Sequence, residues 1–234
     1  DEEVGTGASH FDVEAFGADY AYTLDGDTEG EIQYENFNAC KARFDVKGFN
    51  VHPGSGKDTM INASLVAMEI NSLLPGMETS RGTEGYEGFY HLMSMSGECA
   101  KAQLNYIVRD HDKDFFEARK GTLRLIEKNL NAKWGEGTVT LTITEQYKNM
   151  AEIIAGCMHL IDNAKTACEN AGVTPLVIPI RGGTDGCQLS FKGLPCPNLG
   201  TGGHAYHGPY EHITVEGMDK SVDVVLELVK LYAK

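Results

Sequence analysis

An alternation of apolar and charged residues predicts the first strand of a central module in this chain. Between positions 40 and 47, every second residue is apolar and the residues between them are charged. A period of two is typical of a strand that buries only one face. The apolar positions are Cys40, Ala42, Phe44 and Val46.

A helix and a hairpin are predicted to follow this strand. Apolar side chains recur with helical spacing at Ile61, Leu65 and Met68, and we expect Pro75 to end this amphipathic helix. Two extended runs, 86–95 and 101–109, are predicted to pair as a hairpin that turns around residues 96–98.

A second helix and a last strand complete the module. The apolar face of the predicted helix is made of Phe116, Leu123, Ile126 and Leu130. Val139, Leu141 and Ile143 then alternate with threonines, as in a strand. The order βαββαβ predicts a ferredoxin-like domain over residues 34–147, with two helices on one face of an antiparallel sheet. Its sheet edges could pair with another subunit.

The remaining segments, 1–33 and 148–234, are predicted to form one α/β domain with a parallel sheet, interrupted by the βαββαβ insertion. They contain a helical stretch over 150–170, a buried type of strand over 175–180 and a Gly-rich region over 181–208. In the last helix we expect Thr214 to be the N-cap. Its predicted apolar face consists of Met218, Val222, Val225 and Val229.

Charge and cysteine content narrow the classes of function. Twenty Lys and Arg against 34 Asp and Glu give a formal charge of −14, which argues against nucleic acid and anionic membrane surfaces as partners. Six irregularly spaced cysteines favour a reducing, cytoplasmic location over a disulfide framework. No apolar run is long enough for a membrane span. Because the chain opens on Asp1 rather than Met, we expect a missing N-terminal portion.

Four side chains are candidates for the metal ligands and base of a zinc hydrolase: Glu2, Glu3, Asp25 and His207. Such enzymes combine carboxylate and imidazole ligands with a base near the reacting water. Taken alone, each of the four is typical of a solvated surface. His204 lies three residues before His207, so a pair of imidazoles on one metal is conceivable, although histidines in Gly-rich loops are often only polar surface.

Two arginines and one more histidine are further candidates for functional residues. Arg181 opens a Gly-rich turn after the 175–180 strand, where an arginine can bind a carboxylate in bidentate fashion, although a purely structural turn is the alternative. Arg109 points away from the apolar face of its strand, and a surface salt bridge is its default explanation. His52 lies in a turn before the first helix of the module, where we expect it to be exposed.

Six strings in this order resemble the peptidase T family, tripeptide aminopeptidases of the zinc-dependent aminoacylase and carboxypeptidase G superfamily. The similarity extends along nearly the whole chain and covers the C-terminal part of a family member. The strings are Asp1-Glu2-Glu3-Val4-Gly5, Tyr22-Thr23-Leu24-Asp25-Gly26, Asn50-Val51-His52-Pro53-Gly54, Tyr106-Ile107-Val108-Arg109-Asp110, Pro179-Ile180-Arg181-Gly182-Gly183-Thr184-Asp185-Gly186 and Tyr206-His207-Gly208.

The resemblance implies two Zn²⁺ ions per intact subunit. Glu2 corresponds to the general base that takes a proton from the metal-bridging water and passes it to the departing amine. Glu3 and His207 would bind one zinc, and Asp25 the other. The family's remaining metal ligands precede the position of Asp1, so the ligand set in this chain is incomplete, and we expect the chain to be inactive alone.

The resemblance also implies a homodimer formed through the inserted lid domain and a short peptide substrate. His52 corresponds to a histidine that reaches the partner subunit's site and stabilises the developing oxyanion. Arg109 and Arg181 match residues that hold the C-terminal carboxylate of the peptide, which would favour peptides of fixed length. Glu211 resembles a carboxylate that supports the metal site.

Two departures and two alternatives accompany this interpretation. His204 stands where an aromatic residue such as Tyr is expected, and residues 155–158 differ from the usual polar turn. Within the superfamily, a dipeptidase or an N-acyl-amino-acid hydrolase is the alternative substrate class. Outside catalysis, the chain could be a silent module that dimerises through the edge of the βαββαβ sheet.

Overall fold

A computed structural model describes residues 6–233, and the chain divides into two compact units. Unit 2 is the continuous segment Asn38–Tyr147, and unit 1 consists of the chain before and after it. The helices are α1 (Val13–Phe16), α2 (Ala63–Ser72), α3 (Lys113–Trp134), α4 (Ala151–Ile154), α5 (His159–Asn170), α6 (Asp185–Phe191) and α7 (Val215–Tyr232). The strands are β1 (Thr23–Gly26), β2 (Glu31–Gln33), β3 (Asn38–Lys47), β4 (Phe89–Gly97), β5 (Lys101–Asp110), β6 (Val139–Tyr147), β7 (Leu176–Val177), β8 (Asn198–Gly200), β9 (Gly203–His204) and β10 (His212–Ile213).

Unit 2 has the predicted βαββαβ order, formed by β3, α2, β4, β5, α3 and β6. Its four strands are antiparallel and lie in the order β4-β5-β3-β6. The alternate apolar positions of β3 and β5 share one core with α2 and α3, so both helices cover the same face. The ferredoxin-like fold expected from the residue pattern is confirmed.

The two helices of unit 2 differ in how well their buried faces were predicted. In α3 the four expected residues, from Phe116 to Leu130, are buried. In α2 the prediction was wrong, since Leu65 and Met68 are exposed and Val66 and Ile70 fill the core. Leu65 and Met68 make one face of α2 apolar and Val66 and Ile70 make the other, so spacing alone does not identify the face that meets the sheet.

Unit 1 contains a mixed sheet in the order β1-β8-β2-β7. The β1–β8 and β2–β7 pairs are parallel, as expected, whereas β8 and β2 are antiparallel. A separate two-stranded ribbon pairs β9 with β10. Only residues 27–30 separate β1 from β2, too few for the crossover helix that parallel strands need. β2 therefore runs opposite to β1, and opposite to β8, which lies between them parallel to β1.

Asn36 clamps the two segments of unit 1 together. Its amide nitrogen Nδ2 donates to the Lys148 carbonyl at 2.9 Å, and its Oδ1 accepts from the Met150 backbone N–H at 2.8 Å. In return, Asn149 Oδ1 accepts the backbone N–H of Asn36 at 3.0 Å. Asn36 is completely buried, so these bonds join the chain before and after unit 2 without help from water.

Two elements of unit 1 are shorter than predicted. The helical stretch over 150–170 is interrupted between α4 and α5, where Gly156 lies in the break. The predicted buried strand over 175–180 retains only Leu176 and Val177, and both side chains are exposed. This strand lies at the sheet edge, which is where proline is tolerated, and Pro179 cannot donate a ladder hydrogen bond.

Helix α7 begins as predicted but buries another face. The Thr214 hydroxyl accepts the Gly217 backbone N–H at 3.0 Å, as expected of an N-cap. Val224 and Leu228 are buried on the side that packs against α5, whereas Met218, Val222 and Val229 are exposed. The apolar arc of α7 is therefore wider than its contact with the rest of unit 1, and three of the four predicted residues lie outside that contact.

Two further properties of the described residues bear on function. None of the helices within residues 6–233 has both the length and the apolar character needed to cross a bilayer. All six cysteines are free. Burial raises the pKa of the Cys196 thiol to about 12, so this cysteine stays protonated and is a poor nucleophile.

The buried face of α3 can be tested with two leucines on that helix. Leu123→Ala removes a fully buried side chain and should cost about 2–5 kcal/mol of unfolding free energy. Leu125→Ala removes an exposed one and should change stability by less than about 0.5 kcal/mol. Urea unfolding followed by the fluorescence of Trp134, the single tryptophan, reports on unit 2. Equal losses in both variants would contradict the assigned face.

Candidate functional site

Asp25 lies at the carboxyl end of β1 as the extra residue of a β-bulge. Leu24 is opposite Leu199 and Gly26 is opposite Gly200, so the register shifts by one residue at Asp25. Bulges turn a side chain away from the regular direction of its strand and are common beside functional sites. The side chain of Asp25 is exposed, so its carboxylate oxygens can act as ligands.

His207 lies in the loop between β9 and β10. Its backbone, like that of Ala205, is left-handed, with φ of 60° and 58° respectively. Non-glycine residues adopt this conformation at a cost, and they do so mostly where the surrounding structure holds them. Here the Glu211 carboxylate accepts the His207 backbone N–H at 2.9 Å. Glu211 therefore fixes the position of the His207 backbone.

The carbonyl oxygen of Gly26 connects the two candidate ligands. It accepts hydrogen bonds from the Thr201 backbone N–H at 3.1 Å, from the Thr201 hydroxyl at 2.8 Å and from the Tyr206 hydroxyl at 3.4 Å. The Thr201 and Tyr206 hydroxyls are also 2.5 Å apart. Since Gly26 follows Asp25 and Tyr206 precedes His207, these bonds bring both candidate ligands to one end of the unit 1 sheet.

Glycines make this approach possible. A Cβ on Gly26 would lie 3.0 Å from the Gly200 Cα, and a Cβ on Gly200 would collide with the Thr28 carbonyl oxygen. Likewise, a side chain on Gly203 would occupy the place of the Tyr206 hydroxyl. Side chains at these positions would separate β1 from β8 and from the loop, and would move Asp25 relative to His207.

A buried carboxylate holds the turn that follows Asp25. Glu31 accepts the Asp27 backbone N–H at 3.1 Å, the Thr28 hydroxyl at 2.8 Å and the Gln33 amide at 3.0 Å. The network continues through Asn198, whose amide donates to Gln33 Oε1 at 2.6 Å and whose oxygen accepts from Thr23 at 3.0 Å. These polar groups, buried or half-buried, tie β1, β8 and β2 together by specific bonds.

Arg181 lies at the opposite end of the same sheet. It follows Ile180, which forms an isolated parallel bridge with Asn36 beyond the end of β2. Asp25, in contrast, lies at the end where β2 begins, because β1 and β8 run antiparallel to β2. The Arg181 guanidinium carbon is 5.1 Å from the centre of the Phe37 ring.

Arg109 is not in the surface salt bridge that the pattern suggested. The side chain is only 8% exposed, and its Nη1 donates to the carbonyls of Val108 at 3.0 Å and Cys40 at 3.3 Å. The guanidinium carbon lies 5.3 Å from the centre of the Tyr147 ring. No carboxylate of residues 6–233 forms an ion pair with it. Two carbonyl groups and an aromatic ring thus hold the guanidinium in place. No carboxylate among those residues neutralises its positive charge.

His52 is exposed in unit 2, as expected. It precedes a short 3₁₀ turn, Pro53–Ser55, and its Nδ1 accepts the Gly54 backbone N–H at 3.2 Å. A nitrogen that accepts this bond has no proton, so the neutral ring carries its proton on Nε2. His52 can therefore donate a hydrogen bond through Nε2.

Glu2 and Glu3 lie outside the described residues. Their roles as base and metal ligand therefore stay predictions. Among residues 6–233, no three His, Cys, Asp or Glu side chains are grouped so as to hold a metal ion. The donor types of Asp25 and His207 nevertheless suit zinc, which binds carboxylate oxygen and imidazole nitrogen. These two residues fit a partial site that needs further ligands.

Sequence reasoning missed the residues that organise the site: Thr201, Tyr206 and Glu31. Thr201 and Tyr206 belong to the Gly-rich strings on which the search for ligands concentrated, but a hydroxyl gives no signal by itself. Glu31 alternates with Gln33 in β2, and two polar residues on one face of a central strand could have indicated a buried network.

Comparisons with known proteins show similarity to peptidases in sequence and in fold. Residues 34–138 match a family described as the peptidase dimerisation domain. A peptidase T from Clostridium perfringens is 54% identical over all 234 residues, and the chain spans 58% of its length. The chain is a homologue of peptidase T. It corresponds to a part of that relative, at a level of identity that leaves no doubt about common ancestry.

Solved structures agree on the fold of this peptidase T homologue. An aminopeptidase PepT from Bacillus cereus superimposes with a TM-score of 0.86 at 24% identity, over 100% of this chain and 62% of that one. A dinuclear metal-binding peptidase of the M20 family from Bacillus subtilis gives 0.71 at 16% identity, over 99% of this chain and 62% of that one. At such identities the likeness concerns the fold alone.

The role of Glu31 at the Asp25 turn can be tested by substitution. Glu31→Ala leaves three donors without an acceptor and should destabilise unit 1 by about 3 kcal/mol or more. Glu31→Gln keeps one acceptor oxygen and should lose less. Hydrogen–deuterium exchange of peptides covering residues 23–33 measures the change, with the exposed Glu14→Ala as control. Unchanged protection in Glu31→Ala would show that the network does not hold the turn.

Proposed function

We propose that the chain is part of a cytoplasmic zinc aminopeptidase that removes the N-terminal residue from tripeptides. The observation that carries the proposal is the meeting of the Asp25 strand and the His207 loop at the Gly26 carbonyl. It brings a carboxylate and an imidazole, far apart in sequence, to one end of a sheet. The 54% identity to a peptidase T adds support, and six free cysteines suit a reducing compartment.

In this proposal Asp25 holds one zinc ion, and Glu3 with His207 holds the other. The M20 peptidase from Bacillus subtilis is described as dinuclear, which supports two ions. Zinc, when bound, supplies Lewis-acid activation of water and of the peptide carbonyl. Glu2 takes a proton from the attacking water and delivers it to the departing amine. Glu211 holds the His207 backbone and so keeps its imidazole in a constant position.

Two arginines and a histidine would bind the parts of the peptide that the zinc ions do not. Arg109 is a buried cation whose charge no carboxylate of residues 6–233 neutralises, a state that an anionic ligand relieves. In this proposal Arg109 and Arg181 are the substrate-binding arginines, and each offers a guanidinium of the kind that binds a carboxylate. His52, which has its donor proton on Nε2, would stabilise the oxyanion that develops on the peptide carbonyl.

Activity can be tested by grafting this chain into a relative that is known in full. In a chimera, the chain replaces the matching 58% of the Clostridium perfringens peptidase T. We expect the chimera to release the N-terminal amino acid from Ala-Ala-Ala, and chelator to abolish the release. Glu2→Ala and His207→Asn should each reduce kcat by at least about a hundredfold, whereas the exposed His10→Ala should not.

Three outcomes would contradict this assignment. Undiminished turnover in Glu2→Ala would remove the proposed base. Faster turnover of a dipeptide or of an N-acyl-amino acid than of the tripeptide would favour the alternative substrate classes. A folded chimera without any peptidase activity, checked by its thermal melting, would favour a non-catalytic module.

We also propose that unit 2 mediates a homodimer through the β4 edge and the outer face of α2. The first part of the opposite edge, β6, is already occupied by α3, because Glu127 and Asn131 accept the backbone N–H groups of Leu141 and Val139 at 2.7 and 2.8 Å. Exposed apolar side chains lie on β4 and α2: Leu65, Met68, Met93 and Met95. The match to a peptidase dimerisation domain adds support.

Two leucine substitutions test the dimer surface. Leu65→Glu places a charge on the proposed surface and should shift the protein from dimer to monomer in light scattering after size exclusion. Leu125→Glu is the matched control, since both leucines are exposed on helices of unit 2, at 61% and 55%. A dimer that survives Leu65→Glu but dissociates in Leu125→Glu would place the interface on α3.

A further inference from the structure

The ribbon that carries the candidate ligand His207 has a second pair of imidazoles. His204 and His212 are directly opposite each other in the antiparallel register of β9 and β10. Their ring centroids are 5.3 Å apart, and the ring planes differ by 32°. Side chains that face each other across two antiparallel strands stay on the same side of the ribbon, so this pairing is set by the backbone.

The distance suits two ligands of one metal ion. Metal–nitrogen bonds of about 2.0–2.1 Å in a tetrahedral arrangement put the centroids of two imidazoles on one zinc ion about 5 Å apart. Within residues 6–233, neither ring nitrogen of His204 and not the Nε2 of His212 forms a hydrogen bond with another protein group. These nitrogens are therefore available to a ligand.

The tautomer of His212 is also fixed in the form that binds metals. Its Nδ1 lies 2.8 Å from the Tyr210 carbonyl oxygen. Since a carbonyl can only accept, Nδ1 carries the proton and Nε2 carries the lone pair. Histidines that bind metals usually donate their other ring N–H to a carbonyl or a carboxylate in this way.

We propose that His204 and His212 form a binding site for a divalent transition metal, distinct from the candidate catalytic ligands. Imidazole pairs suit Cu²⁺, Ni²⁺ and Zn²⁺, and water would complete the coordination shell. The ion would join the two ends of the loop 205–211, which contains His207 and Glu211. Occupancy of the pair would therefore restrain the loop that presents His207, independently of the proposed aminopeptidase activity.

Titration of the 234-residue chain with CuCl₂ tests the site by electron paramagnetic resonance. We expect one equivalent of Cu²⁺ to show coupling to two nitrogens. His204→Ala and His212→Phe should each remove one coupling and weaken binding at least about tenfold, because the second imidazole binds intramolecularly. His10→Ala, a change at an exposed histidine elsewhere, should leave the spectrum and the affinity unchanged.

His207→Asn distinguishes the pair from the candidate catalytic ligands. The two-nitrogen signal should persist in this variant. Loss of the signal in His207→Asn, or its survival in His212→Phe, would overturn the proposal. Circular dichroism of each variant shows that it has folded, so that a negative result refers to the ligands. None of these readouts depends on peptidase activity, and failure here would leave the proposed aminopeptidase untouched.

Discussion

Close contact between two backbones at Gly26 and Gly200 is the constraint on which the candidate site depends. The contact allows β1 to lie against β8 while the loop after β8 returns to the Gly26 carbonyl. Without it, Asp25 and His207 would belong to separate parts of unit 1. The bulge at Asp25 and the left-handed backbone at His207 are local departures from regular structure that this contact supports.

The buried polar network around Glu31 also holds the strands that carry the candidate site. Burying a carboxylate costs free energy unless donors surround it, and here three donors do so. Such a network specifies one arrangement of its strands more strictly than apolar packing does. The exposed candidate ligands at the sheet end are thus held by buried groups that take no part in the proposed chemistry.

Much of the fold follows from the sequence where one face of an element is apolar and the other is charged. In β3 the alternation between Phe44 and its charged neighbours leaves only one possible orientation, and α3 is equally unambiguous. In α2 and α7 apolar residues occupy more than half of the circumference. Which stripe is buried then depends on the partner surface, a long-range property that spacing does not contain.

For the candidate site, the sequence predicted the residue types but not how they come together. Asp25 and His207 could be named from local strings and their resemblance to a family, because donor chemistry is a property of residue type. Their meeting depends on the β1–β8 register and on hydroxyl contacts from Tyr206, which involve residues some 180 positions apart. The burial of Arg109 was likewise invisible, since a strand pattern does not reveal what covers its polar face.

The Asn36 clamp has a consequence for how such a chain could have arisen. Unit 2 enters and leaves through adjacent backbone positions, as the pairing of Ala39 with Tyr147 indicates. Asn36, just before unit 2, forms hydrogen bonds with Lys148, Asn149 and Met150, just after it. These bonds do not involve any residue of unit 2. A module with neighbouring ends can be exchanged, lengthened or deleted as a cassette while its host keeps the same connections. Lineages could therefore change unit 2 while the unit that carries Asp25 and His207 keeps its own connections.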